Sequence, residues 1–240
     1  MSDQMSMLLV LVVIFSSTLI RSTFGFGNAL LAMPLLSLVI GLKEAAPLVA
    51  LVGTLVSIVM LLQGWEETRW KDIGGLLLAS LLGMPLGIFL LVAVPEGIVI
   101  RILGIILIGF GFYNLIGIEL PRIDSGWLVV PFGLLAGVLG SAYNTNGPPV
   151  IIYGVFRGWS RDQFRASLQG FFLVTNLLII TGHGISGLWT SRIVILFLAS
   201  ILPVLGAVFL GERIASRFSQ EVFDRVIYYL LIVLGLLLLI

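Results

Sequence analysis

Residues 141–149 read Ser141-Ala142-Tyr143-Asn144-Thr145-Asn146-Gly147-Pro148-Pro149, a polar, helix-stopping stretch set between two strongly apolar segments. At bilayer depth such a break is tolerated only where protein or a watery cavity surrounds it, because lipid offers no hydrogen bonds to the freed backbone. Asn146 is placed to cap a following helix, with Pro148 and Pro149 in a first turn where missing N–H groups cost nothing. The positive end of that helix then points into the break and favours a bound anion. A surface turn between two spanning helices would use the same residues. Depth in the membrane decides between the two readings.

Composition sets the class. With 59% hydrophobic residues, 10% charged residues and a mean hydropathy of +1.18, a chain of 240 residues cannot hide its apolar surface in a water-soluble globule. It reads as an integral membrane protein whose first partner is the lipid bilayer. The apolar runs are long and do not alternate with polar residues, which predicts helices and not barrel strands. A net charge of +1 without a basic cluster argues against a nucleic-acid partner. Cysteine is absent and His183 is the single histidine, so thiolate and histidine metal sites are not expected. No cofactor is implied. No phosphate-cradling Walker loop occurs, and the serines lack a partnering base, so the sequence does not read as an enzyme.

Outward from the break, the chain resolves into two similar halves, 1–120 and 121–240. In the first, Met5–Ile20 reads as a retained span, followed by the glycine-rich Ser22–Asn28 and the short apolar run Ala29–Ile40. A helix over those residues is too short for a hydrocarbon core of about 30 Å. Ala45–Leu62, Ile73–Val94 and Ile98–Ile116 are longer spans. In the second, Trp127–Gly140, the break and the short Val150–Phe156 are followed by Leu168–Thr181, Ile193–Leu210 and Val226–Ile240. Local text repeats too: Leu78-Ala79-Ser80 returns as Leu198-Ala199-Ser200, and Leu86-Gly87 as Leu205-Gly206. Paired interruptions at corresponding positions point to a transporter's binding site.

The expected fold is therefore all-α: two inverted transmembrane repeats, each a broken, short-helix hairpin plus three longer spans. Inversion places every Lys and Arg except Lys43, Arg101 and Arg192 on one side, as the positive-inside rule prefers. That side is then cytoplasmic and both termini lie outside. Were each broken element one kinked helix, the halves would be parallel and the charges divided.

Arg21 to Leu36, reading Arg-Ser-Thr-Phe-Gly-Phe-Gly-Asn-Ala-Leu-Leu-Ala-Met-Pro-Leu-Leu, resembles the first-repeat signature of the sulfite exporter family of the TauE/SafE type. Asn146-Gly-Pro-Pro-Val-Ile-Ile-Tyr153, with Gly158-Trp-Ser-Arg-Asp-Gln-Phe-Arg-Ala166, is similar to its second. The resemblance covers nearly the whole chain. It implies a permease of a bacterial-type inner (plasma) membrane that moves small sulfur-containing organic or inorganic anions, sulfite or sulfonates, including toluene-sulfonate-like substrates. Ser22, Asn28 and the polar Tyr143-Asn144-Thr145 depart from the family pattern.

The expected substrate site gathers Arg21, Ser22, Thr23, Phe24, Gly25, Gly27 and Asn28 from the first half. From the second it takes Tyr143, Asn144, Thr145, Asn146, Gly147 and Pro148, with Gln169 and Asn176 from the helix that follows. An intramembrane arginine is expensive and can grip two oxygens of a sulfonate; Arg21 as a snorkelling topology signal is the competing reading. Arg165, Gln169 and Asn176 share one helical face, either lining the path or bonding helix to helix. Thr54 and Ser57 are weaker polar groups that often bond only their own helix. Phe24, Phe26 and Tyr143 offer rings to an organic tail. Gly83 with Gly87, and Gly133 with Gly137, imply close packing within the monomer or at a homodimer face. His183 is expected in a solvated outer loop, with proton sensing as the competing reading. The transport reading implies alternating access; the alternative is an anion channel using the same site as a filter.

Overall fold

The computed structural model describes residues 3–62, 65–117, 126–215, 228–229 and 232–239, and every regular element among them is helical. The helices are α1 (Asp3–Phe24), α2 (Asn28–Ile40), α3 (Leu42–Leu61), α4 (Trp70–Ala93), α5 (Glu96–Ile116), α6 (Val129–Tyr143), α7 (Gly147–Phe156), α8 (Arg161–Ile185) and α9 (Ser191–Ala215). Six of these, α1, α3, α4, α6 with the turn before it, α8 and α9, are long and apolar enough to cross a membrane. The chain is an integral, multi-pass membrane protein. Expectations for Glu119–Asp124, Arg122, Arg217 and Arg225 lie outside the described residues, and the expected last span Val226–Ile240 is described only in part.

Neither broken element is a kinked helix. Gly25 (φ 90°) and Gly27 (φ 102°) adopt left-handed backbone that only glycine reaches cheaply, and there the chain reverses. α2 then runs back along α1, so that Ile40 at its end lines the same crevice as Ser6, Met7 and Val10. Its 13 residues span roughly 20 Å, less than a hydrocarbon core. In the second half Asn144 (φ 54°) closes α6, its N–H donating to the Gly140 carbonyl at 2.8 Å while that of Thr145 reaches the Leu139 carbonyl at 3.2 Å. α7 returns over 10 residues to the end of the bundle where α6 began.

Polar contacts identify the two ends. At one, Lys43 donates to the Val92 carbonyl at 3.3 Å and Arg192 pairs with Glu44 at 3.3 Å. At the other, Asp72 pairs with Arg69 at 3.1 Å and with Arg157 at 3.4 Å and accepts from Trp159 Nε1 at 3.0 Å. The α1–α2 hairpin enters from the first end and the α6–α7 hairpin from the second. Both turn inside the bundle, around a centre made by α3 against α8.

The most extensive packing joins α4 to α6 and α1 to α9, each pairing a helix of one half with a helix of the other. Small residues permit it. A Cβ on Gly137 would lie 2.0 Å from the Ser80 carbonyl oxygen, and on Gly83 it would lie 2.2 Å from that of Leu134. The two Gly-X-X-X-Gly motifs thus mesh with each other within one chain. Gly211 on α9 meets Ser22 and Leu19 of α1 in the same manner. On α5, Gly104 lies against Gly235 and Gly111 against Ile232, so the last described segment runs antiparallel to α5 and heads for the end where α1 starts.

This packing gives a direct expectation. Gly137→Val should cost about 3 kcal/mol or more, because backbone and not a movable side chain meets the added atoms. Gly206→Ala on α9, which meets nothing within 4 Å, should leave the midpoint unchanged or slightly raised. Thermal unfolding of the two variants in detergent checks the difference.

Candidate functional site

Arg21 lies one turn before α1 ends and is 2% exposed. Its guanidinium donates to Gln169 Oε1 at 2.6 Å, to the Gly53 carbonyl at 3.3 Å, to Asn28 Oδ1 at 3.5 Å and to Ser57 Oγ. Its Nε has no partner, and the Phe172 ring lies 5.1 Å from Cζ. Every partner is neutral. Among the described residues no carboxylate pairs with this arginine, although ion pairing is the usual way a buried charge is tolerated. Arg21 is therefore not a snorkelling topology signal, since the end of the bundle lies beyond it.

Beside Arg21 is a cavity of about 20 Å³, lined from both hairpins and from α3 and α8: Arg21, Phe26, Gly27, Asn28, Ala29, Leu30, Val49, Gly53, Asn144, Thr145, Asn146, Gly147, Phe172 and Asn176. That is room for a water molecule or so. Gly27 caps α2 with no side-chain bond, and Asn28, Ala29 and Leu30, whose N–H groups precede the first intrahelical bond, all face the cavity. Helix starts of this kind favour negative charge.

The other hairpin is a weaker donor than the sequence led us to expect. Asn146 makes no cap, donating instead through Nδ2 to Thr175 Oγ1 at 2.9 Å, and Pro148 and Pro149 supply no N–H to the first turn of α7. Asn144 Nδ2 donates to the Ala46 carbonyl at 2.7 Å, leaving its buried Oδ1 unpartnered. Donors on this side come from Gly147 and from side-chain amides.

Of the expected site residues, Arg21, Gly27, Asn28, Asn144, Thr145, Asn146, Gly147 and Asn176 meet around the cavity. Others do not line it. Ser22 and Thr23 donate to the Thr18 and Leu19 carbonyls within α1, and Ser22 packs on Gly211 of α9. Tyr143 is fully buried in the apolar core, and Pro148 is buried in α7 beyond the cavity. The side chain of Phe24 lies outside the described residues. Gly25 and Gln169 act behind the wall: Gln169 Nε2 donates to the Gly25 carbonyl at 2.6 Å while its Oε1 accepts from Arg21. One side chain thus ties the first break to α8. Arg165 helps from the end side, with its Cγ 3.1 Å from where a Gly25 Cβ would stand and Nη2 donating to the Ser22 carbonyl at 3.3 Å.

Sequence reasoning missed Val49, Gly53 and Phe172, whose apolar types carry no signal, and undervalued Ser57, which accepts from Arg21 and does not merely bond its own helix. Thr54 does bond its own helix, at the Ala50 carbonyl. His183 is corrected outright. α8 continues to Ile185, and His183 is 0% exposed inside the bundle.

A helical multi-pass protein with two internal hairpins and a polar cavity between them has the architecture of a membrane transporter. The family comparison agrees: the model of the sulfite exporter TauE/SafE family matches residues 9–238, and the chain belongs to that family of transmembrane permeases. No curated protein and no solved structure matches it.

Asn176 lines the cavity close to Arg21, since both approach the same Gly53 Cα–H face. Asn176→Asp keeps the shape while placing a carboxylate opposite the unpaired guanidinium. We expect a midpoint raised by a few degrees in sulfonate-free buffer, and loss of any further stabilisation when a sulfonate is added. Differential scanning fluorimetry with and without methanesulfonate checks both.

Proposed function

We propose that the chain carries small sulfur-containing anions, of the sulfonate or sulfite class, held between the two hairpins and released by alternating access. The observation that carries this reading is Arg21: a cation buried in lipid-depth structure, solvated by neutral groups, beside an uncapped helix N-terminus. Such an arrangement costs folding stability and gains its missing counter-charge when an oxyanion enters. The guanidinium binds two oxygens, the α2 N–H groups take a third, and Phe26, Leu30, Val49 and Phe172 surround an organic tail.

The packing supports two inverted repeats. α4 on α6 and α1 on α9 are equivalent if the halves are related by a two-fold axis that exchanges α3 with α8. Rocking one half against the other would widen the cavity, which in its present size admits no sulfonate. So small a space favours a carrier over a channel with a continuous filter. The end bearing Arg69, Lys71, Arg157, Arg165 and Arg213 is read as cytoplasmic, with the termini outside.

Two measurements test this. Arg21→Met should fold as well as the parent or better, since an unpaired buried charge is removed, yet lose the sulfonate-dependent rise in midpoint, which for the parent at about 100 Kd corresponds to roughly 2.7 kcal/mol. Proteoliposomes of the parent should show saturable uptake and counterflow of labelled sulfonate, and conductance far above carrier turnover would sink the carrier mechanism. For topology, single cysteines placed in this cysteine-free chain at Glu66 and at Thr190 should differ toward an impermeant maleimide, Thr190→Cys reacting in intact cells and Glu66→Cys only after permeabilisation.

A further inference from the structure

His183 is the only histidine, is 0% exposed, and sits on α8 with Nε2 2.9 Å from the Ser141 carbonyl oxygen and Nδ1 without a partner. It continues a polar line along α8. Gln169, Asn176 and His183 recur every seven residues, a spacing that keeps them near one face of the helix. The line runs from the Arg21 clip through the cavity wall to the α6–α7 hairpin. Ser141, which receives His183, lies three residues before the left-handed Asn144, and its own hydroxyl donates to the Met84 carbonyl of α4 at 2.9 Å. Among the described residues, neighbouring elements bring no counter-ion to it. Between Ile73 and Ala93 α4 has no charged residue, and Tyr143 is the only titratable residue of α6. On α3, Lys43 is engaged with the Val92 carbonyl and Glu44 with Arg192 of α9.

We propose that His183 is the site of a coupling proton, so that this carrier moves its anion together with H⁺. The inference rests on the anion-carrier reading above. In the neutral ring Nε2–H donates to Ser141 and Nδ1 keeps a buried lone pair. A proton taken up at Nδ1 makes the ring a cation with one donor unpaired, within the same hydrogen-bonded frame as the second break. Arg21 already carries a positive charge about 10 Å or more away along the helix line, so the second charge is disfavoured while Arg21 lacks a counter-ion. An anion on Arg21 lifts that repulsion. Anion and proton therefore favour each other's binding, by about tenfold at that separation, and by reciprocity the proton tightens the anion to the same extent. No carboxylate among the described residues takes this role, since those present lie in the first or last turns or loops.

The test uses methanesulfonate, whose charge is constant over the range where histidine titrates. In parent proteoliposomes an inward proton gradient should drive methanesulfonate accumulation, a pyranine signal should report H⁺ entering with it, and affinity should rise about tenfold as pH is lowered until His183 is protonated. His183→Gln and His183→Asn keep a donor toward Ser141 and cannot be protonated. Both should retain methanesulfonate stabilisation and gradient-free counterflow while losing gradient-driven accumulation and the pH dependence of affinity. Proton-coupled accumulation that survives in either variant would overturn the proposal, as would parent vesicles in which counterflow proceeds but no proton moves. Absence of counterflow in the parent would instead refute the carrier reading itself.

Discussion

The site is built on one electrostatic constraint: a guanidinium buried in the bundle with no carboxylate paired to it among the described residues. Arg21 is held by an amide of α8, a carbonyl and a hydroxyl of α3 and an amide of α2. Those neutral acceptors replace water without cancelling the charge. To assemble them, α1 must end where it does, α2 must double back, and α3 and α8 must cross at the centre. The left-handed glycines at 25 and 27 turn the chain beside that cation, and Gln169 and Ser57 supply acceptors to it.

The two hairpins are analogous in placement and different in chemistry. The first presents an uncapped helix start whose residues Asn28, Ala29 and Leu30 line the cavity. The second spends its start on prolines and uses asparagine amides, two of which are tied to Thr175 and to Ala46. The charge and the strong backbone donors thus belong to one half, and the second mainly completes the enclosure.

Much of this was legible in the sequence because the signals were local. Gly25-Phe26-Gly27 and Asn144 to Pro149 mark reversals by residue type alone, and the short runs after them are too brief to cross lipid. The glycine pairs at 83/87 and 133/137 announce close contact, though not that each is the other's partner, since that is settled by three-dimensional pairing. What failed depended on depth and on neighbours. Tyr143 has an amphipathic ring that suits a site or a core equally well, and its position in the pleat of helices decides for the core. His183 follows Thr181-Gly182, a pair that reads as the approach to a loop. Tertiary packing against Ile88 of α4 and Trp189 instead keeps the helix going, overriding propensity.

Both mouths of the bundle are fastened by ion pairs that join one half of the chain to the other: Glu44 with Arg192, and Asp72 with Arg157. Arg192 and Arg157 are partly open to water, where such pairs contribute on the order of 1 kcal/mol or less and fade with added salt. Fasteners that weak hold a door without locking it. The electrolyte bathing each face then becomes a control on how readily that face yields, independent of whatever ion lies within.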